Sequence, residues 1–171
     1  PSISRDEAKA ADIVEEELRG LGFAPQRKMN NVWAMALEYD AQKPTILLDA
    51  HLDTVKPNAQ WVRDPFQPVG EDGKLYGLGS NDTGGSLVAL LAAFVRLSKS
   101  EQPYNLIVLA SAEEEVTGVN GVRAVLPELG KIDFAIVGEP TSMQPAVAEK
   151  GLLVLDCLSH GRSGHAAREE G

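Results

Sequence analysis

Short apolar runs separated by amphipathic stretches set the pattern of this chain. Ile46-Leu47-Leu48, within Thr45–Val55, the run from Tyr104 to Ala110, and Phe134–Val137 are too short for helices, rich in branched residues and bounded by polar or turn residues. Each therefore reads as a buried strand. Asn31–Leu37 reads as a further strand, and Leu152–Leu158 as another. Ala8, Ala11, Ile13, Val14 and Leu18 form a helical stripe. Ser4-Arg-Asp-Glu7 has the spacing of a capping box before it, and Gly20 and Gly22 end it. Ser86–Leu97 predicts a strongly apolar helix and Val119–Leu129 a shorter one. Lys56 to Glu71, rich in Pro and polar residues, reads as a long ordered loop. Strands interleaved with helices predict an α/β fold, a three-layer α/β/α sandwich around a mostly parallel mixed sheet. Sites in such sheets lie beyond the carboxyl ends of the strands.

Polar residues stand at those ends. His51 and Asp53 leave the first strand, and in extended chain Asp49, His51 and Asp53 share one side. A histidine beside a carboxylate can bind a cation through one nitrogen while the acid holds the other; a plain strand-end hydrogen bond is the alternative. Glu113-Glu114-Glu115 follows the second strand, where adjacent carboxylates repel unless cations or solvent relieve them. A solvated acidic turn is the alternative there. Pro140 biases Glu139, after the third strand, towards extended backbone. Asp82 sits where the glycine-rich Gly77–Gly85 meets a helix. A dinucleotide fingerprint would need glycine at 82, and a carboxylate there would repel a pyrophosphate. Four separate segments converging on one edge point instead to a cation, because His plus carboxylates suit Zn²⁺ and one carboxylate can bridge two metals. No other chemistry competes. Gly161-Arg-Ser-Gly-His165 is not a nucleophile elbow, and His-Glu-x-x-His, Cys-x-x-Cys and phosphate-binding loops are absent from the sequence.

Composition narrows the classes. With 171 residues, 43% hydrophobic and 24% charged, the chain has the makeup of a globular domain. A net charge of −9 argues against nucleic-acid or anionic-membrane partners. Cys157, the single cysteine, permits no internal disulfide and reads as a small buried hydrophobe, which fits a reducing compartment. No leader-like opening and no apolar run of spanning length is visible, so a cytoplasmic location is expected.

Six motifs then fall in a recognisable order. They are His51-Leu-Asp-Thr-Val55, Trp61-x-x-Asp-Pro-Phe66, Gly77-Leu-Gly-Ser-Asn-Asp82, Ala112-Glu-Glu-Glu115, Gly138-Glu-Pro-Thr141 and Gly161-Arg-Ser-Gly-His-Ala-Ala167. Together they resemble the dinuclear-zinc aminoacylase/carboxypeptidase family across nearly the whole chain. Val137-Gly-Glu-Pro-Thr, Glu149-Lys-Gly-Leu and His165-Ala-Ala-Arg-Glu-Glu-Gly171 look most like its acetylornithine deacetylase branch. The resemblance implies two zinc ions, with cobalt or manganese as alternatives. It implies His51 and Glu139 on the first metal, Glu115 on the second, Asp82 bridging both, and Asp53 orienting His51. Glu114 would be the general base, taking a proton from the attacking water and returning it to the departing amine. Glu113 would be a flanking acid, where many relatives carry Asp. His165 would stabilise the oxyanion in the partner subunit's site, and His160 reads as a surface residue.

The implied activity is hydrolysis of the amide of a small N-acyl amino acid, N-acetyl- or N-succinyl-L-ornithine in arginine synthesis. Succinyl-diaminopimelate desuccinylase, a dipeptidase, or a non-catalytic metal-binding module are the alternatives. Residues 1–150 would form the catalytic metal-binding domain. Residues 151–171 would begin a truncated α+β lid domain through which the full-length protein dimerises. Two departures stand out. Asp82 is followed by Thr83-Gly84-Gly85 where relatives carry x-Lys-Gly. The family's second-metal histidine lies beyond Gly171, so the second site is expected to be incomplete here and the chain alone inactive.

Overall fold

The computed structural model describes residues 1–148, 150, 151, 153, 155–158, 160, 161 and 167. Among these, helix α1 spans Ala8–Gly20, followed by strands β1 (Gln26–Lys28), β2 (Asn31–Met35) and β3 (Thr45–His51). A hairpin, β4 (Val69–Glu71) and β5 (Lys74–Tyr76), precedes helix α2 (Gly85–Leu97). Strand β6 (Asn105–Ser111), helix α3 (Val122–Leu129) and strand β7 (Phe134–Val137) complete the order.

One mixed sheet runs β1-β2-β6-β3-β7. The three strands β6, β3 and β7 are parallel, while β1 and β2 add an antiparallel edge. Strict alternation divides the central strands between two cores. Leu106, Val108 and Ala110 of β6, with Leu48 and Ala50 of β3, pack against Ala11 and Leu18 of α1 and Leu87 and Phe94 of α2. Ile107 and Leu109, with Leu47 and Trp33, pack on the other face against Val125 and Leu129 of α3. Helices on both faces of one sheet make the expected three-layer sandwich, and a sheet covered twice explains why β6 is apolar at almost every position.

Four expectations change. Ser4 does not cap α1: Glu7 holds the capping position without a side-chain cap bond, and both side chains are committed elsewhere, as shown below. The loop from Lys56 to Glu71 ends in the β4–β5 hairpin, turned by Asp72 and Gly73 at φ of 50° and 72°. Paired positive φ at Asp-Gly is the geometry whose twist matches the flanking strands. Strand β7 forms as expected but is exposed, Phe134 at 59%, because β3 is its single neighbour among the described residues and α3 packs over β6 and β3 instead. Cys157 is exposed, as are Leu153, Leu155 and Leu158 beside it, since the stretch packs on neither core. The strand expected over 152–158 falls partly outside the described residues, and His165 wholly so.

Candidate metal centre

β3 ends on His51, whose side chain is buried. Its Nδ1 lies 2.9 Å from the main-chain oxygen of Asp53 and 3.6 Å from that residue's Oδ1. The nearer oxygen takes the Nδ1 proton, which leaves Nε2 as the free ligand atom. Around Nε2 stand Asp82 Oδ1 at 3.1 Å, Glu114 Oε2 at 3.8 Å and Glu139 Oε1 at 3.9 Å. Sheet register explains Glu139. Asp49 pairs with Val137, and the Gly138 N–H continues the ladder onto the Asp49 carbonyl at 2.8 Å. Two residues beyond that pair, Glu139 comes level with His51. Asp82 arrives from the turn Ser80–Gly84 that leads into α2. Buried Thr83 donates its hydroxyl to the Gly138 carbonyl at 2.8 Å, which joins the Asp82 turn to the segment bearing Glu139.

The acidic turn after β6 is held from below. Asp53, wholly buried, accepts the Glu114 N–H on Oδ1 (3.0 Å), the Glu115 N–H on Oδ2 (3.3 Å) and the Ser4 hydroxyl on Oδ2 (2.7 Å). Glu7, also wholly buried, accepts the Glu113 N–H at 3.1 Å. Glu113 adopts φ of 53° and turns its carboxylate away to Asn120, accepting from Nδ2 at 2.9 Å and from N–H at 3.3 Å. Asn31 supports the same turn by accepting the Ala112 N–H at 2.9 Å. The role expected for Asp53 thus extends beyond His51 to the main chain of the two acids opposite it.

Burial disfavours charge on His51, yet the hydrogen bonds its ring donates to Asp53 and the charge of the Glu139 carboxylate outweigh it and push the ring up to about 9. Asp53 moves the other way: burial would raise it, but His51, Ser4 and the two N–H groups hold it below the usual carboxylate range. Burial raises Glu139, to which the nearby Glu114, Asp82 and Glu115 charges add and from which His51 subtracts. Glu115 is raised by burial and then by Asp82. Such clustered, mutually repelling acids around a histidine are what a cation would relieve. His51, Asp82 and Glu139 each present one ligand atom within 4.8 Å of the others, so the donor set fits a divalent cation of the zinc type. Glu115 lies outside that trio. Ser4, Glu7, Thr83 and Asn31 escaped the sequence reading, and the one signal two of them carried, a Ser-x-x-Glu spacing, is shared with ordinary helix caps.

The family model described as Peptidase family M20/M25/M40 matches residues 47–151, the stretch containing His51, Asp82, Glu114 and Glu139. The chain belongs to this family. A succinyl-diaminopimelate desuccinylase from Alkalilimnicola ehrlichii is 35% identical over 97% of this chain and 48% of its own length. Another from Delftia acidovorans is 32% identical over 96% of this chain and 45% of its own. The chain thus spans about half the length of the curated relatives it matches. Among solved structures, an M20 family metallo-carboxypeptidase from Sulfolobus solfataricus superposes with a TM-score of 0.66 at 28% identity, covering 81% of this chain and 34% of that one. The two curated relatives carry the desuccinylase name where the sequence texture suggested the ornithine branch. No helix among the described residues is long and apolar enough to cross a membrane.

Proposed function

We propose that this chain carries the metal-binding half of an M20 amidohydrolase that removes an N-acyl group from a small amino acid, N-succinyl-diaminopimelate first among the substrates. The observation that carries the reading is the convergence of His51, Asp82 and Glu139 at the carboxyl ends of parallel strands, with Glu114 3.8 Å from the same imidazole. The choice of succinyl substrate rests on the desuccinylase relatives. N-Acetyl- or N-succinyl-ornithine follows, on the strength of the Val137–Thr141 texture.

His51, Asp82 and Glu139 would hold a first zinc ion, and Asp82 with Glu115 would begin a second site. When bound, the ions supply Lewis acidity at the amide carbonyl and lower the pKa of water. Glu114, half-exposed and outside the ligand trio, takes the proton from the attacking water and delivers it to the departing amine. Asp53 serves this proton transfer by fixing both the His51 ring and the Glu114 main chain. Glu113 is unsuited to the base role, since its carboxylate is spent on Asn120. His165 as oxyanion donor, a lid beginning near residue 151 and a homodimer through it complete the proposal.

A zinc-supplemented panel on the full-length protein tests it, comparing N-succinyl-diaminopimelate, N-acetyl- and N-succinyl-ornithine and dipeptides. Glu114→Gln should lower kcat by at least 10²-fold with zinc content unchanged. Retained turnover in that variant would sink the mechanism, and hydrolysis of dipeptides alone would sink the substrate assignment.

A further inference from the structure

The segment before α1 reaches both halves of the site. Ile3 forms a parallel bridge with Thr54, and the main chain locks around it: the Thr54 N–H donates to the Ser2 carbonyl at 2.9 Å, and the Ser4 N–H to the Thr54 carbonyl at 3.1 Å. This clamp on the exit of β3 sets the Ser4 hydroxyl 2.7 Å from Asp53 Oδ2. Three residues on, Glu7 is wholly buried and its Oε1 accepts the Glu113 N–H. Three consecutive main-chain N–H groups, those of Glu113, Glu114 and Glu115, therefore end on two buried carboxylates, Glu7 and Asp53. A buried Glu has no packing reason to stand at a helix start without capping it, and its Oε2 is buried without a hydrogen-bond partner. The cost of burying such an acid is large, so its position needs a purpose.

We propose that Ser4 and Glu7 are positioning residues for the metal centre. Ser4 orients Asp53, which in turn orients His51 and the main chain of Glu114 and Glu115; Glu7 fixes the start of the same acidic turn. Neither touches substrate or the reacting atoms. Ser4 saturates Asp53 Oδ2 so that the carboxylate faces both the turn and the imidazole in one rotamer. Glu7 holds Glu113 in its positive-φ conformation, which sends the Glu113 side chain away and lets the Glu114 carboxylate face His51. Groups that support metal ligands in this manner change metal affinity by about 10–100-fold when removed.

The inference rests on the metal-centre reading, and zinc affinity separates the two. In chelator-competition titrations of the full-length protein, well below its unfolding temperature, Ser4→Ala and Glu7→Ala should each weaken zinc binding by about tenfold. Ser4→Thr and Glu7→Gln, which keep the donor and the acceptor, should recover affinity to within about threefold. Amide exchange should quicken at Glu113 in Glu7→Ala and at Glu114 and Glu115 in Ser4→Ala. Should the alanine variants fail to fold, a Ser4→Cys variant, whose thiol is a weaker donor, gives the same comparison with an intermediate loss. Lowered unfolding temperature with unchanged affinity and exchange would assign these residues a merely structural role and overturn the proposal. If the unaltered protein binds no zinc, the metal-centre reading itself fails.

Discussion

Asp53→Asn isolates the part of the site that the fold itself maintains. The substitution keeps the volume of a fully buried side chain and removes one acceptor and the charge. With its oxygen in the Oδ1 position, the new amide still receives the Glu114 N–H. Its NH₂ group then faces the Ser4 hydroxyl, which can turn to accept, and the Glu115 N–H, which cannot. One buried donor is left unpaired at about 1–3 kcal/mol, and two bonds to a charged acceptor weaken to neutral ones, for a total of about 3 kcal/mol. Urea unfolding of metal-free protein measures this, followed through the fluorescence of Trp33 in the core. The sign with pH is also fixed. Asp53 is lowered in the folded state, so its contribution is complete above the ordinary carboxylate value of 3.8 and is lost as pH falls through the folded one. The gap between the natural protein and the variant should therefore close on acidification below about pH 4, and it should also narrow as pH rises from 6.5 through about 9, where the His51 charge that Asp53 supports is lost. A variant within 0.5 kcal/mol of the natural protein at pH 7, a margin about that of ordinary surface changes, would refute the claim that this carboxylate organises the turn.

Thr83→Val removes the hydroxyl that ties the Asp82 turn to the Gly138 carbonyl; a loss of about 1–2 kcal/mol in thermal or urea unfolding is expected, with weaker zinc binding alongside. Gly118→Ala would set a Cβ 1.9 Å from Glu113 Oε2 and 2.5 Å from its Cβ, so the buried Glu113 must leave its place on Asn120, and crystallography or amide exchange of the Asn120 N–H should show it displaced. Glu7 is raised by burial and by the Asp53 charge despite its bonds to main-chain N–H groups, so it costs stability increasingly as pH rises from its unfolded value of 4.5 through the folded one. Glu7→Gln should accordingly gain stability relative to the natural protein with rising pH over that window, and a flat difference in paired unfolding curves would count against a buried ionisable Glu7.

The sheet was legible wherever burial on both faces left an unbroken apolar run, as in β3 and β6. The helix after Asp82 was legible from its apolar length, although only Leu87 and Phe94 of it are buried. Its exposed margin was less legible. Phe134, Ala135, Ile136 and Val137 look like a core strand, but burial is a property of neighbours, and this strand has one among the described residues. The Asp72-Gly73 turn did carry a hairpin signal, obscured by prolines upstream that favoured a loop. At the site, residues at strand exits could be found because parallel register fixes where those exits lie, and His51 and Glu139 meet accordingly, with Asp82 joining them from the turn before α2. Ser4 and Glu7 could not. Their partners are 49 and 106 residues away, and a short-range rule for helix starts accounted for the same letters.

The deeper regularity is a division of labour between strand register and buried carboxylates. Register alone brings Glu139 beside His51, because both sit on adjacent parallel strands whose ladder continues through Gly138. It cannot place Glu114 and Glu115, which lie past the end of β6 in a turn where Glu113 and Thr117 both have positive φ. Hydrophobic packing cannot place them either, since Glu114 is exposed and Val116 is largely so. What remains is hydrogen bonding from beneath, and the two acceptors are acids rather than neutral groups because charged acceptors hold an N–H about twice as strongly. The consequence is a fold that buries Glu7 and crowds Glu115 and Glu139 against further acids, a local conflict that works against stability. Conflicts of that kind persist at sites with a function to serve. Here the function is a rim of carboxylates held facing one imidazole.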